Sequence, residues 1–411
     1  MVGGRSRKLI PSTGGARGGR RIAWLLAMCV MLLTALLPFS SYVAALPIIQ
    51  SEWGIGNTSA GAIFSAYLAG YALSALLVLP LTDRLPTRRV FLASALVTVV
   101  GNVLFPIAAF DPIVASALRF IAGIGLVGIY MPGLRIISQE FPDSGRGTAM
   151  GLYVTAFYTA NAVSLLATGG LMNHFDWRTA YLALSLVSVV TIPMVLALVR
   201  SAHGPDSGSG GRLQLSVLSD SRTRKYIIGY SLHAMELYAV RVWLPTLLSA
   251  ALVYRGTDVE RAAVTAATVG GIALGVGSVG PVMGGAISDR FGRAASAGGI
   301  FILSGVCSLI IGWMIAAPWV LIVVLACILG WAVSADSSIY STALTETAPP
   351  GKLGSTMAVQ AFLGFMGGTL GPVFIGGILD VFEGSLAWGI GFSGIAFLSV
   401  IAVWFLVSGD D

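Results

Sequence analysis

Twelve apolar stretches, each long enough to cross a lipid bilayer, constrain this 411-residue chain more than any other feature. A membrane-crossing helix needs about 20 mainly apolar residues at a rise of roughly 1.5 Å each. Such runs begin near Ile22, Thr58, Val90, Pro112, Thr148 and Arg178, and again near Tyr226, Ala263, Ala295, Pro318, Gly354 and Leu386. Short strand-like alternation is absent, so helices must satisfy the backbone in lipid. The expected fold class is an all-α membrane protein of twelve transmembrane helices, numbered here as spans 1–12 in chain order. Composition agrees, since 56% of residues are hydrophobic and only 10% charged. A soluble domain carries about 25% charged residues to coat its surface. The same numbers exclude a disordered chain and a disulfide scaffold. Cys29, Cys307 and Cys327 all lie within apolar runs, which suits packing better than bridges or a metal site.

Span 1 imitates a cleavable signal, with Arg20-Arg21 before an apolar run and Ala44-Ala45 after it. The run reaches about 25 residues, longer than a signal core, so a retained helix is expected. Orientation follows from the 24 Lys and Arg residues. With the amino terminus inside, nineteen fall on the inner side, three on the outer side (Arg178, Arg255, Arg261) and two within spans (Arg119, Arg241). Cytoplasmic loops carry this excess, so the basic balance of +6 is a topology signal rather than a nucleic-acid footprint. The expectation is a multi-pass protein of the cell (plasma or inner) membrane with both termini cytoplasmic. One long polar interruption, rich in Gly and Ser, divides the chain. It gives a disordered tail at 1–21, a six-helix bundle at 22–200, a cytoplasmic linker at 201–225 and a second bundle at 226–411.

The halves repeat. Leu81-Thr82-Asp83-Arg84-Leu85-Pro86-Thr87-Arg88 follows span 2, and Ile287-Ser288-Asp289-Arg290-Phe291-Gly292-Arg293 follows span 8, 206 positions later. Gly147-Thr148-Ala149-Met150 and Gly354-Ser355-Thr356-Met357 form a second pair, offset by 207. Two pairs at nearly one offset argue for an internal duplication. Parallel six-helix repeats with a site at their interface are a transporter architecture. Two Gly-x-Gly-x-x-Gly strings, Gly123 to Gly128 and Gly275 to Gly280, would suggest a dinucleotide only between a strand and a helix. Both lie inside spans, where glycines let helices approach closely.

Gly285, Asp289, Arg290, Gly292 and Arg293 closely resemble the Gly-x-x-x-Asp-Arg-x-Gly-Arg loop signature of the major facilitator superfamily. The first copy keeps Asp83, Arg84 and Arg88 but has Leu79 and Pro86 where the glycines would stand. Arg119 with Gly123 and Gly125 is similar to that superfamily's Arg-x-x-x-Gly-x-Gly element in span 4. The resemblance covers essentially the whole chain. It implies two pseudo-symmetric six-helix bundles, a cytoplasmic latch built on Asp83 and Asp289, and a central cavity lined by spans 1, 4, 7 and 10. Span 5 lacks the Gly-Pro element of drug/proton antiporters, although Gly371-Pro372 in span 11 could be its repeat-related equivalent.

Ionisable residues at membrane depth are expensive and usually functional. Span 7 carries Tyr230, His233, Glu236 and Arg241 within about 140° of one face. Asp336 and Tyr340 share a face of span 10, and Arg119 and Tyr130 lie in span 4. By helical rise, Glu236 lies about 15 Å and Arg241 about 22 Å from the inner end of span 7. Arg119 lies roughly 10 Å from the outer end of span 4. This places a cationic layer, Arg119 and Arg241 from opposite halves, above an acidic one. Two cations can hold a small anion, while Glu236, with His233, carries a proton. The competing arrangement is internal neutralisation, with an arginine paired to Glu236 or Asp336.

The span 7 string and Ala335-Asp336-Ser337 look like the cyanate-permease and nitrate-transporter-like branch of the superfamily. The reading is a secondary transporter working by alternating access, proton-coupled, for a small anionic solute. The alternative is a drug or metabolite/proton antiporter exporting hydrophobic or cationic compounds. Its partners are the bilayer, a small-molecule substrate and protons, without nucleic acid, and a monomer suffices. No cofactor, metal or enzymatic activity is expected: Gly-x-Ser-x-Gly, His-Glu-x-x-His and phosphate-loop strings are missing. His174, His203 and His233 are widely separated.

Overall fold

The computed structural model describes residues 14–81, 85–141, 145–199 and 214–407. Among these residues, twelve units are long and apolar enough to cross a membrane. Spans 1–6 run Gly19–Trp53, Asn57–Val78, Thr87–Ala108, Pro112–Glu140, Arg146–Met172 and Trp177–Leu198. Spans 7–12 run Ser221–Tyr254, Val259–Phe291, Arg293–Gly312, Trp319–Thr347, Leu353–Val381 and Gly384–Leu406. Aspartates set several starts, because the first turn of a helix leaves its amides without partners. Asp111 accepts from the amides of Ile113 and Val114, Asp176 from Arg178 and Thr179, Asp220 from Thr223, and Asp258 from Arg261.

Two boundaries differ from the sequence reading. The first helix begins at Gly14, so residues 14–21, read as tail, continue span 1. Arg21 there reaches Glu140 at the end of span 4, 3.3 Å away. The end of the expected linker is also structured. A 3-10 turn covers Leu215–Ser219, and span 7 starts behind its Asp220 cap. Residues 1–13 and 201–213 lie outside the described residues.

The duplication is visible in the packing. Span 2 lies against span 4 as span 8 lies against span 10, span 3 against span 6 as span 9 against span 12, and span 1 against span 5 as span 7 against span 11. The two bundles meet where span 2 faces span 11 and span 5 faces span 8. The glycine strings serve these contacts. A Cβ on Gly123 would strike the Tyr67 carbonyl of span 2, and one on Gly277 the Gly330 carbonyl of span 10. Helix-to-helix approach, not phosphate, explains both strings.

Spans 1, 6, 8 and 10 are each built from two helices. Span 1 breaks between Leu36 and Ser41, around Pro38, which has no amide hydrogen to donate. Span 10 breaks at Asp336, between helices Trp319–Ala335 and Ser337–Thr347. Such breaks release backbone carbonyls and amides in the protein interior, where side chains can use them.

Candidate functional site

A cavity of about 1340 Å³ lies between the bundles. It runs from Gln214, Asp289 and Gly354 on the face that bears the linker to Tyr158, His233 and Tyr238 at its inner end. Tyr130, Phe157, Tyr230 and Phe365 give it an aromatic wall.

At the inner end, four side chains form a line across the two halves. Tyr158 Oη of span 5 lies 2.5 Å from Ser337 Oγ of span 10. Ser337 Oγ lies 2.9 Å from His233 Nε2 of span 7. His233 Nδ1 stands 2.9 Å from Asp336 Oδ1, an ion-pair distance without straight hydrogen-bond alignment. The break in span 10 makes this possible. It leaves Asp336 ahead of the helix that begins at Ser337, where a carboxylate is favoured by the helix dipole.

Arg241 sits just behind this line. Its guanidinium carbon is 4.9 Å from the Tyr158 ring centroid, 5.2 Å from that of Tyr238 and 5.8 Å from that of Phe157. The residue is 3% exposed, and its Nε and Nη1 have no hydrogen-bond partner. Glu236 of span 7 is fully buried and faces Ser304 and Cys307 of span 9. Tyr340 is also buried, with its ring 5.6 Å from that of His233.

Arg119 is elsewhere. It is fully buried in the first bundle, where Nη1 donates to the Phe39 carbonyl at 3.2 Å and to Tyr181 Oη at 3.3 Å. That carbonyl belongs to the broken segment of span 1. The rings of Phe39, Tyr42, Phe64 and Tyr67 surround the guanidinium, with centroids 4.6–5.6 Å away. Neither arginine lines the cavity, but Arg241 lies directly behind three rings that do, Phe157, Tyr158 and Tyr238; Arg119 has no such neighbour. It therefore forms no shared layer with Arg241: the Phe64 and Tyr238 rings, 6.4 Å apart, stand between their two environments. Internal neutralisation is not what the arginines do either. Arg119 uses a carbonyl, a phenol and ring faces; Arg241 uses ring faces; Asp336 pairs with His233.

On the linker-bearing face, Gly292 takes φ 86° and ends the second helix of span 8, a left-handed turn that glycine adopts without strain. The turn brings Arg293 back to Asp289 at 2.6 Å, while Arg293 also forks onto Glu346 of span 10 at 2.8 and 3.2 Å. Asp289 is thus engaged within its own half. Gly285 lines the cavity, and Arg290 lies over the Phe291 ring at 5.3 Å. Arg88 is half-buried in the first turn of span 3, whereas Asp83 and Arg84 lie outside the described residues.

Sequence reading passed over Tyr158, Ser337, Tyr238 and Glu346 as site residues. A signal existed for the first two, as hydroxyls within apolar runs beside other polar positions. Their convergence needs the fold. Gln360 was passed over as well: it lines the cavity while 4% exposed.

Two homologous six-helix bundles around a central cavity with ionisable walls define a solute transporter. The family model of the Major Facilitator Superfamily matches residues 23–314, and the chain belongs to that superfamily. The curated relatives that the chain matches are named as transporters, and it spans just under two thirds of the length of the first of them. It is 25% identical over 305 residues to a gallate transporter of Pseudomonas putida, a match that spans 65% of each chain. It is 24% identical over 378 residues to a gentisate transporter of Corynebacterium glutamicum, covering 86% of this chain and 80% of that one. It is 24% identical over 384 residues to a cis,cis-muconate transport protein of Acinetobacter baylyi, covering 87% of both. These relatives are named for organic acids and do not extend the resemblance to the cyanate and nitrate branch. Among solved structures, a bacterial homolog of the human lysosomal transporter Spinster, inward-facing and occupied, shares the fold with a TM-score of 0.68 at 17% identity over 95% of both chains. A nucleoside transporter gives 0.73 at 14% identity, covering 94% of this chain and all of the other.

Proposed function

We propose that this chain is a proton-coupled secondary transporter of a small organic acid, working by alternating access in the plasma or inner membrane, with the linker-bearing face and both termini cytoplasmic. The observation that carries the reading is the Tyr158–Ser337–His233–Asp336 line beneath an arginine with free donors. Unpaired guanidinium donors match a carboxylate, and the surrounding rings match a planar or aromatic body. The relatives named for gallate, gentisate and muconate support an organic-acid substrate.

Proton handling belongs to the carboxylates behind the cavity. Glu236 and Asp336 are fully buried carboxylates at membrane depth, the kind of group that takes up and releases a coupling proton. His233, on the cavity wall, is placed to pass that proton on. A proton on His233 also strengthens its attraction to Asp336 and alters its bond to Ser337, which bridges to the other half through Tyr158. Substrate and proton then act on one inter-bundle contact. Arg119 supports the first bundle, and the Asp289–Arg293–Glu346 cluster serves the cytoplasmic gate. One chain contains the complete pathway.

The test is uptake into proteoliposomes of gallate, gentisate and cis,cis-muconate, with and without an imposed pH gradient. At least one acid accumulates with the gradient and equilibrates without it. Thermal stabilisation by hydrophobic cations, with none by these acids, overturns the reading in favour of an exporter.

A further inference from the structure

Spans 4, 6, 7 and 8 begin behind their own capping aspartates. Span 2 begins behind Gly56, whose carbonyl accepts the first helical bond from Ala60 and which has no side chain to offer. Its cap comes from the other bundle. Asp380, at the end of span 11, accepts from the Asn57 amide at 2.7 Å and the Asn57 Nδ2 at 2.9 Å through Oδ1. Through Oδ2 it accepts from the Thr58 amide at 2.8 Å and the Thr58 hydroxyl at 2.6 Å. A Cβ on Gly56 would lie 3.1 Å from both carboxylate oxygens, so a residue able to cap span 2 from within would crowd the one that caps it from across. Below this contact the two helices touch backbone to backbone. A Cβ on Gly61 would meet the Pro372 carbonyl and one on Gly376 the Asn57 carbonyl, while Ser65 donates to the Thr369 carbonyl at 2.6 Å.

We propose that Asp380 is the latch that holds the cavity shut on the face opposite the linker, as a helix cap supplied by one bundle to the other. A helix start presents free amides and the positive end of its dipole, so a carboxylate bound there is held by charge-assisted bonds. Opening the cavity to that face requires spans 2 and 11 to part there. All four bonds then break together, and the amides at the start of span 2 go to water. Span 8, related to span 2 by the duplication, keeps Asp258 through any such movement because that cap is internal. The two symmetric helices therefore differ in what rocking costs them, and the barrier to outward opening is set at Asp380.

The inference rests on the alternating-access reading, but its readout needs no substrate. A cysteine is placed in the seam by Ser65→Cys, and its reaction with a membrane-impermeant maleimide is followed from the face opposite the linker, against the parent chain as background for Cys29, Cys307 and Cys327. Asp380→Ala is expected to speed labelling about tenfold, and Asp380→Asn, which keeps one acceptor, by less. Adding Gly56→Asp to Asp380→Ala returns a cap to span 2 without the bridge. It is expected to recover thermal stability while labelling stays fast. Unchanged labelling in both the Ala and the Asn variants overturns the proposal. So does slow labelling in the Gly56→Asp double variant, which would make Asp380 a helix stabiliser only. A chain that fails to move gallate, gentisate or muconate yet shows the expected labelling order leaves the latch standing and removes only the substrate assignment.

Discussion

The two bundles bury a guanidinium in different ways. Arg119 in the first has a carbonyl, a phenol and four ring faces around it and lies away from the cavity. Arg241 in the second lies over three rings that line the cavity, one of which, Tyr158, bonds Ser337; each guanidinium keeps two nitrogens without partners. The repeat offset of 206 places Leu325 at the position of Arg119 and Ala35 at that of Arg241. Duplication thus preserved the helix pairing but not the charges. A guanidinium wrapped by ring faces is compensated where it stands. Both arginines keep free donors, so position is the difference: the rings over Arg241 line the cavity, those around Arg119 do not, and only Arg241 can open its donors to a ligand.

The largest effect expected from breaking this asymmetry is on proton coupling. Glu236→Gln should abolish accumulation driven by a pH gradient, bringing internal solute down to the equilibrium level, while substrate exchange across the same vesicles continues. Accumulation at the parent level would remove Glu236 from the mechanism. Next in size is the anion contact. Arg241→Ala should weaken binding of the transported acid roughly 10- to 150-fold by calorimetry, the value of a hydrogen bond to a charged group. Arg241→Lys should recover part of it, since a point charge replaces the fork.

Arg119→Lys sharpens the contrast. It should leave the acid's Kd within about twofold and lower thermal stability by about 1–2 kcal/mol, the scale of lost ring-face contacts. Equal losses of affinity at Arg119 and Arg241 would erase the distinction between the bundles. Tyr158→Phe removes the bridging hydroxyl and should slow turnover about fivefold, as expected for one neutral hydrogen bond of about 1 kcal/mol, in a transport assay.

The smallest effect concerns Asp176, which starts span 6 outside the membrane segment. Asp176→Ala should cost about 1 kcal/mol, read by thermal unfolding. The Thr179 hydroxyl, and after it the Thr179 and Arg178 amides, hold this carboxyl below the usual aspartate range. A lowered value means that the cap is fully stabilising above about pH 4 and is lost as pH falls through the lowered value. The variant should therefore converge with the parent in acid and diverge from it at neutrality.

The span count, the helix type and the repeated loops were legible in the chain because apolar length and spacing are properties of a line. The inventory of buried ionisable residues was legible for the same reason. Their partners were not. Periodicity grouped Glu236 with Tyr230 and His233 on one broad face of span 7, yet His233 meets the cavity and Glu236 turns toward span 9. Helical rise brought Arg119 toward the level of Arg241, but depth contains no azimuth. The breaks at Pro38 and Asp336 changed what the neighbouring backbone could bind, and Asp380 reached span 2 from 323 residues away.

The order of residues by itself determined that this chain forms twelve lipid-crossing helices in two related sets, since hydrocarbon admits no other backbone arrangement for such runs. Only the tertiary structure decided which buried charge faces a ring, which faces a carboxylate and which faces the cavity. Side-chain direction depends on how several helices pack and where they break, and those contacts join residues far apart in the chain.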